Sequence, residues 1–156
     1  MRLRHYVAML GIAIGISLAM TPGAQAAVQV NTSIPFDVSL YLPCNGDTVD
    51  ASGFVHEVSA LTINGNHFSV VSHFSAQGIT GTSETTGAKY QGTGVTTETT
   101  GGSFVNGQFR DTFVNRFDFI GQGSAPNSIT HETFHITVNA NGTITTTFDK
   151  LSGNCV

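Results

Sequence analysis

A His-Glu-x-x-His pattern stands near the end of the chain, formed by His131, Glu132 and His135. In zinc metalloproteases this pattern lies on a helix, where two histidines four residues apart share one face and one metal ion. Residues 130–138 are instead rich in threonine, isoleucine and valine, which favour strands. On a strand the two imidazoles would stand about 13 Å apart, and Glu132 would point to the opposite face. We therefore predict a strand here and no zinc protease site.

Two other histidines, His56 and His73, flank the turn signal Asn64-Gly65. A two-residue hairpin loop at Asn64-Gly65 would place these histidines directly opposite each other, with their Cβ atoms about 5 Å apart. Such a pair can hold a transition metal or respond to acid, although a metal site needs a third ligand. We interpret the pair as two neutral side chains on the outer face, with metal binding as the alternative. No cofactor is expected.

A third set consists of Asp111, Asn115 and Glu132, which fall on strand faces assigned to the core, among phenylalanines. A carboxyl group buried beside aromatic rings has a perturbed pKa and can act as a general acid or base. The alternative is structural: Asp111 at a barrel mouth, and Glu132 paired with Lys150. Asp111 and Asn115 are therefore the catalytic candidates of a cyclase or isomerase hypothesis, which stands second to a non-enzymatic one.

The elements that must position these residues are short strands separated by turn signals. Alternating apolar residues from Ile34 to Leu42 predict the first strand, and the Asn64-Gly65 hairpin pairs Leu61 with Phe68. A loop over residues 140–142, with Gly142 in the left-handed conformation, is predicted to join the last two strands. We expect another strand over residues 89–97, between two loops.

Phenylalanine supplies the predicted interior. Phe109, Phe113, Phe117 and Phe119 fall on one face of a strand, and the last hairpin would place Phe134 opposite Phe148 and Glu132 opposite Lys150. We predict that a small apolar ligand contacts the rings of Phe109, Phe113, Phe117, Phe134 and Phe148.

These patterns predict an all-β domain over residues 27–156, an antiparallel up-and-down β-barrel of seven or eight strands, with a two-sheet β-sandwich as the alternative. Two cysteines, Cys44 and Cys155, are expected to form a structural disulfide.

Residues 1–26 read as a signal peptide that is cleaved after Ala26, because a basic start precedes an apolar run and the small-x-small pattern Ala24-Gln25-Ala26. We therefore expect a secreted, periplasmic or cell-surface protein with no membrane span in its mature part. That part holds four basic and ten acidic residues, so its formal charge is −6. A net negative chain without a basic cluster lacks the electrostatic features of a nucleic-acid binder.

Several segments of the chain resemble a group of small exported bacterial β proteins of unknown function. They are Pro-Cys-Asn-Gly-Asp at 43–47, the following Gly-Phe-Val-His, Thr-Ile-Asn-Gly-Asn at 62–66, Ala-Gln-Gly-Ile-Thr-Gly-Thr at 76–82, Thr-Gly-Ala-Lys-Tyr at 86–90, and the 131–142 hairpin with a terminal cysteine. The resemblance implies a bacterial source and a secreted β domain, and it supplies no activity. A looser similarity to calycin and allene-oxide-cyclase-like barrels concerns the fold alone. The leading hypothesis is a non-enzymatic exported β-barrel that binds a small apolar molecule or serves as a surface or envelope component.

Overall fold

The computed structural model describes residues 27–44 and 46–156, so the predicted signal peptide lies outside the described residues. Seven strands make up most of this range. They are β1 (Ala27–Leu42), β2 (Asp47–Asn64), β3 (His67–Ser83), β4 (Lys89–Ser103), β5 (Phe109–Gly121), β6 (Ser128–Val138) and β7 (Ile144–Cys155). The strand expected over 89–97 begins where predicted and continues to Ser103. In the described part of the chain there is no helix long and apolar enough to cross a membrane.

All seven strands belong to one antiparallel sheet, in which each strand pairs with the next along the chain. The predicted all-β, up-and-down arrangement is confirmed, whereas the two-sheet alternative is wrong. Since successive strands alternate in direction, β1 and β7 run the same way. No ladder joins them among the described residues, so the sheet has two free edges and is not a closed barrel.

The expected disulfide between Cys44 and Cys155 is present, with the two Cα atoms 5.2 Å apart. Cys44 lies in the turn after β1, and Cys155 is the last residue of β7. The bridge therefore ties the two outermost strands together at one end of the sheet, which we call the disulfide end. Disulfides of this structural kind are typical of oxidising compartments.

The two faces of the sheet follow from side-chain alternation. We call inner the face that carries Val49, Ala51 and Phe119, which are at most 3% exposed. Residues directly opposite each other on neighbouring strands share a face, so the ladders assign every position to one of the two faces. Inner positions are even-numbered on β1, β4 and β6, and odd-numbered on β2 and β5.

The hydrophobic core lies on the inner face at the disulfide end. Its fully buried members come from β1 to β5 and are Leu42, Val49, Ala51, Ile79, Tyr90 and Phe119. The sheet curls enough for Phe36 of β1 to contact Phe117 of β5, with ring centroids 5.8 Å apart. Phe117 in turn packs against Phe119 at 5.1 Å. The predicted interior of alternating apolar side chains is therefore filled by packing in this half of the sheet.

The β2–β3 hairpin differs from its predicted register by two residues. Asn64 pairs with His67, so the loop consists of Gly65 and Asn66. Gly65 has a φ of +57°, and no residue other than glycine has a positive φ in the described chain. This loop has the type II′ pattern, in which glycine comes first and is the only residue with a positive φ. The predicted Asn-Gly loop would be a type I′ turn, which needs a positive φ at both positions. A shift of two residues leaves every side chain on its predicted face.

The β6–β7 hairpin begins as predicted and then departs from the predicted register. Val138 pairs with Ile144, and Gly142 adopts the expected left-handed conformation at φ +80°. The ladder then shifts by one residue, since Thr137 pairs with Thr146. A shift of one residue exchanges the faces, so Phe148 lies on the outer face and does not oppose Phe134.

Candidate functional site

Three carboxyl groups lie together on the inner face, in the half of the sheet away from the disulfide. Glu57 belongs to β2, Glu98 to β4 and Asp111 to β5. The ladders place Ser72 of β3 opposite both Ser59 and Glu98, and Phe113 of β5 on the other side of Glu98. Asp111 lies two positions before Phe113 on β5 and on the same face, so the three acids surround one region of the sheet.

Glu57 is the most deeply buried of the three, at 3% exposed. The Ser59 hydroxyl donates a hydrogen bond to Glu57 Oε1, and the Ser59 oxygen lies 2.9 Å from that of Ser72. Both serines are themselves buried. A buried carboxylate is costly unless it is hydrogen-bonded, so this hydroxyl chain fixes Glu57 in the interior.

The two catalytic candidates from the sequence, Asp111 and Asn115, are also on the inner face and are half-buried. Thr100 Oγ1 donates to Asp111 Oδ1 at 2.8 Å, and Thr96 Oγ1 donates to Asn115 Oδ1 at 2.7 Å. Threonines of β4 therefore hold both side chains in defined positions.

Glu98 is a carboxyl group of the site whose pKa is shifted by its surroundings. Burial raises the pKa of the Glu98 carboxyl above its ordinary value, and the nearby carboxylates of Asp111 and Glu57 raise it further. Both effects disfavour the charged form of this side chain. A titratable group perturbed by burial and by like charges is typical of functional sites.

No basic side chain of the described residues shares this face. The ladders place every described lysine, arginine and histidine in a strand on the outer face: Lys89, Arg110, Arg116, Lys150, His56, His67, His73, His131 and His135. The inner face also carries Glu132 and Asp149. The two faces of the sheet thus differ strongly in charge.

Aromatic rings alternate with these acids. Phe113 lies directly across from Glu98, Phe134 lies across from Phe113, and Phe74 lies across from Glu57. All three rings are only partly buried. The site therefore combines negative charge with accessible apolar surface.

The five phenylalanines predicted to contact a ligand do not form one group. Phe113 and Phe134 belong to the carboxylate site, and Phe109 lies beyond it near the turns at 37% exposed. Phe117 is part of the packed core. Phe148 is on the outer face and 49% exposed, so its predicted place in the interior was wrong.

The predicted contact between His56 and His73 was also wrong, because His56 pairs with Ser75 and His73 with Val58. His56 Nε2 hydrogen-bonds Asn31 Oδ1 at 2.8 Å, whereas His73 Nδ1 lies 3.3 Å from Thr97 Oγ1. The two rings therefore turn toward opposite neighbouring strands. No group of three or more His, Cys, Asp or Glu side chains within the described ranges is arranged to hold a metal ion.

The His-Glu-x-x-His pattern lies on β6, as predicted, with both histidines on the outer face and Glu132 on the inner one. His135 contacts two threonine hydroxyls, Nδ1 to Thr112 at 2.7 Å and Nε2 to Thr137 at 3.1 Å. Glu132 lies opposite Leu151 and not opposite Lys150, so the predicted ion pair was wrong.

Sequence reasoning missed Glu57 and Glu98, the two acids that complete the site. The sequence signal for these two acids is their spacing from buried residues of the same strand. Glu98 is an even number of residues from Tyr90 on β4, and Glu57 is an even number from Val49 and Ala51 on β2, so each shares a face with those residues. Threonine and glycine fill most positions of β4, so its inner face carries no apolar pattern that would draw attention to Glu98.

No protein-family model, curated protein or solved structure matches this chain.

Proposed function

We propose that the protein is a non-enzymatic binding protein whose inner face holds a small organic cation with an apolar body, such as an aromatic or alkyl amine. The supporting observation is that Glu57, Glu98 and Asp111 share one face with phenylalanine rings and with no basic side chain of the described residues. This proposal keeps the apolar ligand expected from the sequence and adds a positive charge to it.

Electrostatics favour a cationic ligand. Three carboxyl groups close together repel each other, and the raised pKa of Glu98 reflects that repulsion together with burial. A ligand ammonium group would remove the repulsion and would form charge-assisted hydrogen bonds with the carboxylates.

The rings favour an organic cation. An ammonium group over the face of a phenyl ring gains about 0.5–1 kcal/mol at exposed sites and more where water is excluded. Phe113 lies directly across from Glu98 and Phe134 directly across from Phe113, and the exposed parts of both rings would cover the ligand's apolar body.

The test is a calorimetric titration with three molecules of similar size: 2-phenylethylammonium, neutral 2-phenylethanol and anionic 3-phenylpropionate. We expect the cation to bind at least tenfold more tightly than the alcohol, and the anion not to bind. Binding should strengthen as pH rises through the pKa of Glu98, since the ionised carboxylate attracts the cation. Equal affinity for cation and alcohol would reject the charge component of the proposal.

Two variants separate the site from overall charge. Glu98→Gln removes one inner carboxylate and should weaken cation binding at least tenfold, or about 1.4 kcal/mol. Asp37→Asn removes the same charge from an exposed outer position on β1 and should leave binding unchanged. Mass spectrometry of small molecules that co-purify with the native protein would identify the natural ligand.

Acid–base catalysis of an isomerisation or cyclisation is the second candidate function, and the raised pKa of Glu98 is the observation that favours it. In this version Glu98 takes the role that the sequence suggested for Asp111. Incubation of a co-purified ligand with the protein in D2O is the test, because a proton-transfer enzyme would introduce deuterium into the ligand and Glu98→Gln would not.

We also infer that the curled sheet acts as a barrel with a seam between β1 and β7. The disulfide across these strands and the contact between Phe36 and Phe117 support this inference. Neighbouring strands lie about 4.8 Å apart, so β1 and β7 should lie within about 10 Å of each other if they are adjacent or separated by a gap the width of one strand. Spin labels at Asp37 and Phe148, which are both exposed on the outer face and each lie seven residues before their disulfide cysteine, would measure this distance, and a separation far above 10 Å would reject the barrel.

Export to the periplasm, cell surface or medium is the remaining part of the proposal. The signal-peptide pattern of residues 1–26 and the disulfide support it. The intact mass of the protein recovered outside the cytoplasm should equal that of residues 27–156, and an uncleaved N-terminus in that fraction would contradict the predicted processing.

A further inference from the structure

A groove of about 530 Å³ lies near the turns opposite the disulfide end. Four of its lining residues, Phe68, Gly102, Phe109 and Val138, belong to the inner face. The others form two neighbouring rows on the outer face, which run across the strands. The first row consists of Thr62, Ser69, Gly101, Arg110 and Thr137, and the second of Asn64, His67, Ser103, Gln108 and Asn139. This volume is typical of sites for small molecules.

Arg110 lies over a glycine of the neighbouring strand. Gly101 lies directly opposite Arg110 and has no positive φ, so its backbone does not require a glycine. A Cβ atom at Gly101 would lie 3.3 Å from Nε and 3.8 Å from Nη2 of Arg110. The guanidinium group therefore occupies the space that any other residue would fill.

The charge of the groove is exceptional for this chain, which has ten acidic and six basic residues. Among the described residues, no acidic side chain lines the groove. Arg110 forms no ion pair or side-chain hydrogen bond with another described residue, whereas Arg116 pairs with Asp118 at 3.2 Å on the same strand and face. The five hydrogen-bond donors of the Arg110 guanidinium are thus available to a ligand.

We propose that this groove binds a small hydroxylated carboxylate, with the carboxylate on Arg110 and the hydroxyl groups on the surrounding amide and hydroxyl side chains. The guanidinium fork matches a carboxylate with two parallel hydrogen bonds. One such group balances one negative charge, which fits a monocarboxylate. Asn64, Gln108 and Asn139 each offer a donor and an acceptor, as sugar-like hydroxyls require.

An NMR titration with gluconate, and with sorbitol as the neutral polyol of the same length, tests the proposal. Gluconate should shift the amide resonances of Gly101, Arg110 and their neighbours at millimolar concentrations or below, and sorbitol should bind at least tenfold more weakly. Equal binding of the two molecules would refute the role of Arg110. Stronger binding of inorganic sulfate than of gluconate would show a simple anion site and would also refute the proposal.

Three variants distinguish the groove from net charge. Arg110→Gln should weaken gluconate binding at least tenfold, while Arg116→Gln, which removes the same charge from the same strand and face, should have no effect. Gly101→Ala keeps the charge but crowds the guanidinium, so binding should weaken without any change in net charge. Equal effects of the two arginine variants would overturn the proposal, and circular dichroism would verify that each variant is folded.

Because Arg110 and the three carboxyl groups lie on opposite faces of the sheet, the tests of the two charged sites are independent. Arg110→Gln should leave 2-phenylethylammonium binding unchanged, and Glu98→Gln should leave gluconate binding unchanged. A negative result in one titration therefore leaves the proposal for the other site unaffected.

Discussion

Removal of the disulfide should cost this protein a large part of its stability. Cys44 and Cys155 are 111 residues apart in sequence, so the bridge closes almost the whole described chain into one loop. The chain-entropy relation for a loop of this length gives a loss of unfolded-state entropy of about 16 cal/mol/K, or about 5 kcal/mol at 25 °C. Domains of this size typically have a free energy of unfolding of 5–15 kcal/mol, so the variant without the bridge should be marginal or unfolded at 37 °C.

Urea denaturation of the double variant Cys44→Ala/Cys155→Ala against the oxidised native chain is the measurement. The reduced native chain serves as the control with an unchanged sequence. The slope of unfolding free energy against urea should rise in both, since an unfolded chain without the bridge exposes more surface. Hydrogen exchange should increase first in β1 and β7, because no ladder joins these edges. A loss below about 2 kcal/mol would refute the view that the bridge is the main tie between the two edges.

Three further changes test the packing and the charge of the sheet. Because Glu98 binds its proton more tightly in the folded state, the free energy of unfolding falls as the pH rises from the ordinary pKa of 4.5 through the raised pKa of the folded protein. Glu98→Gln should therefore stabilise the protein at pH 7 but not below pH 4.5. Thermal midpoints at the two pH values measure this difference. Gly94→Ala should destabilise the fold by more than about 3 kcal/mol in urea unfolding, because its Cβ would lie 2.0 Å from the Arg116 carbonyl oxygen at a φ of +133°. Phe119→Ala, at 3% exposed, should cost about 3–5 kcal/mol in the same assay, whereas Phe148→Ala, at 49% exposed, should cost under about 1.5 kcal/mol; equal losses would contradict the assigned faces.

Alternation along the strands was sufficient to predict the fold class and most faces. The even positions from Ile34 to Leu42 and the odd positions from Phe109 to Phe119 lie on the inner face as expected. These assignments depend only on the period of two in a strand. The face assignments also hold for the hairpin at Asn64-Gly65, where the predicted register was wrong by two residues, because a shift of two residues leaves each side chain on the same face.

Local irregularities could not be predicted from alternation. The one-residue shift after Ile144 moves Phe148 and Lys150 to the outer face, although nothing in the run of threonines at 145–147 marks the position of the irregularity. A bulge depends on how two strands twist against each other, which the sequence of one strand does not encode. Closure depends on the same geometry, so alternation could not indicate that no ladder joins β1 to β7 among the described residues.

Only part of the candidate site was predicted, because alternation identifies a polar residue on an inner face only where apolar residues mark that face. Asp111 and Asn115 were found because they interrupt a row of phenylalanines. Glu98 was missed because its strand offers threonine and glycine at the neighbouring inner positions, so the strand shows no apolar face to which Glu98 could be assigned. Polar residues in a polar strand carry no signal of burial.

The register of β7 bears directly on whether the inner face is built for packing alone. A ladder without the irregularity after Ile144 would place Phe148 against Phe134 and Lys150 beside Glu132. That arrangement would cover the rings and supply a basic group, which no described residue provides on the inner face. The observed register instead brings Asp149 and Leu151 to that face and adds one more acid to it. A sheet selected for stability alone would gain from the first arrangement, since like charges in a partly buried site are unfavourable and opposite charges are not. The observed arrangement leaves the rings and the carboxyl groups of Glu98 and Asp111 partly accessible together, and that is the combination a cationic ligand with an apolar body requires.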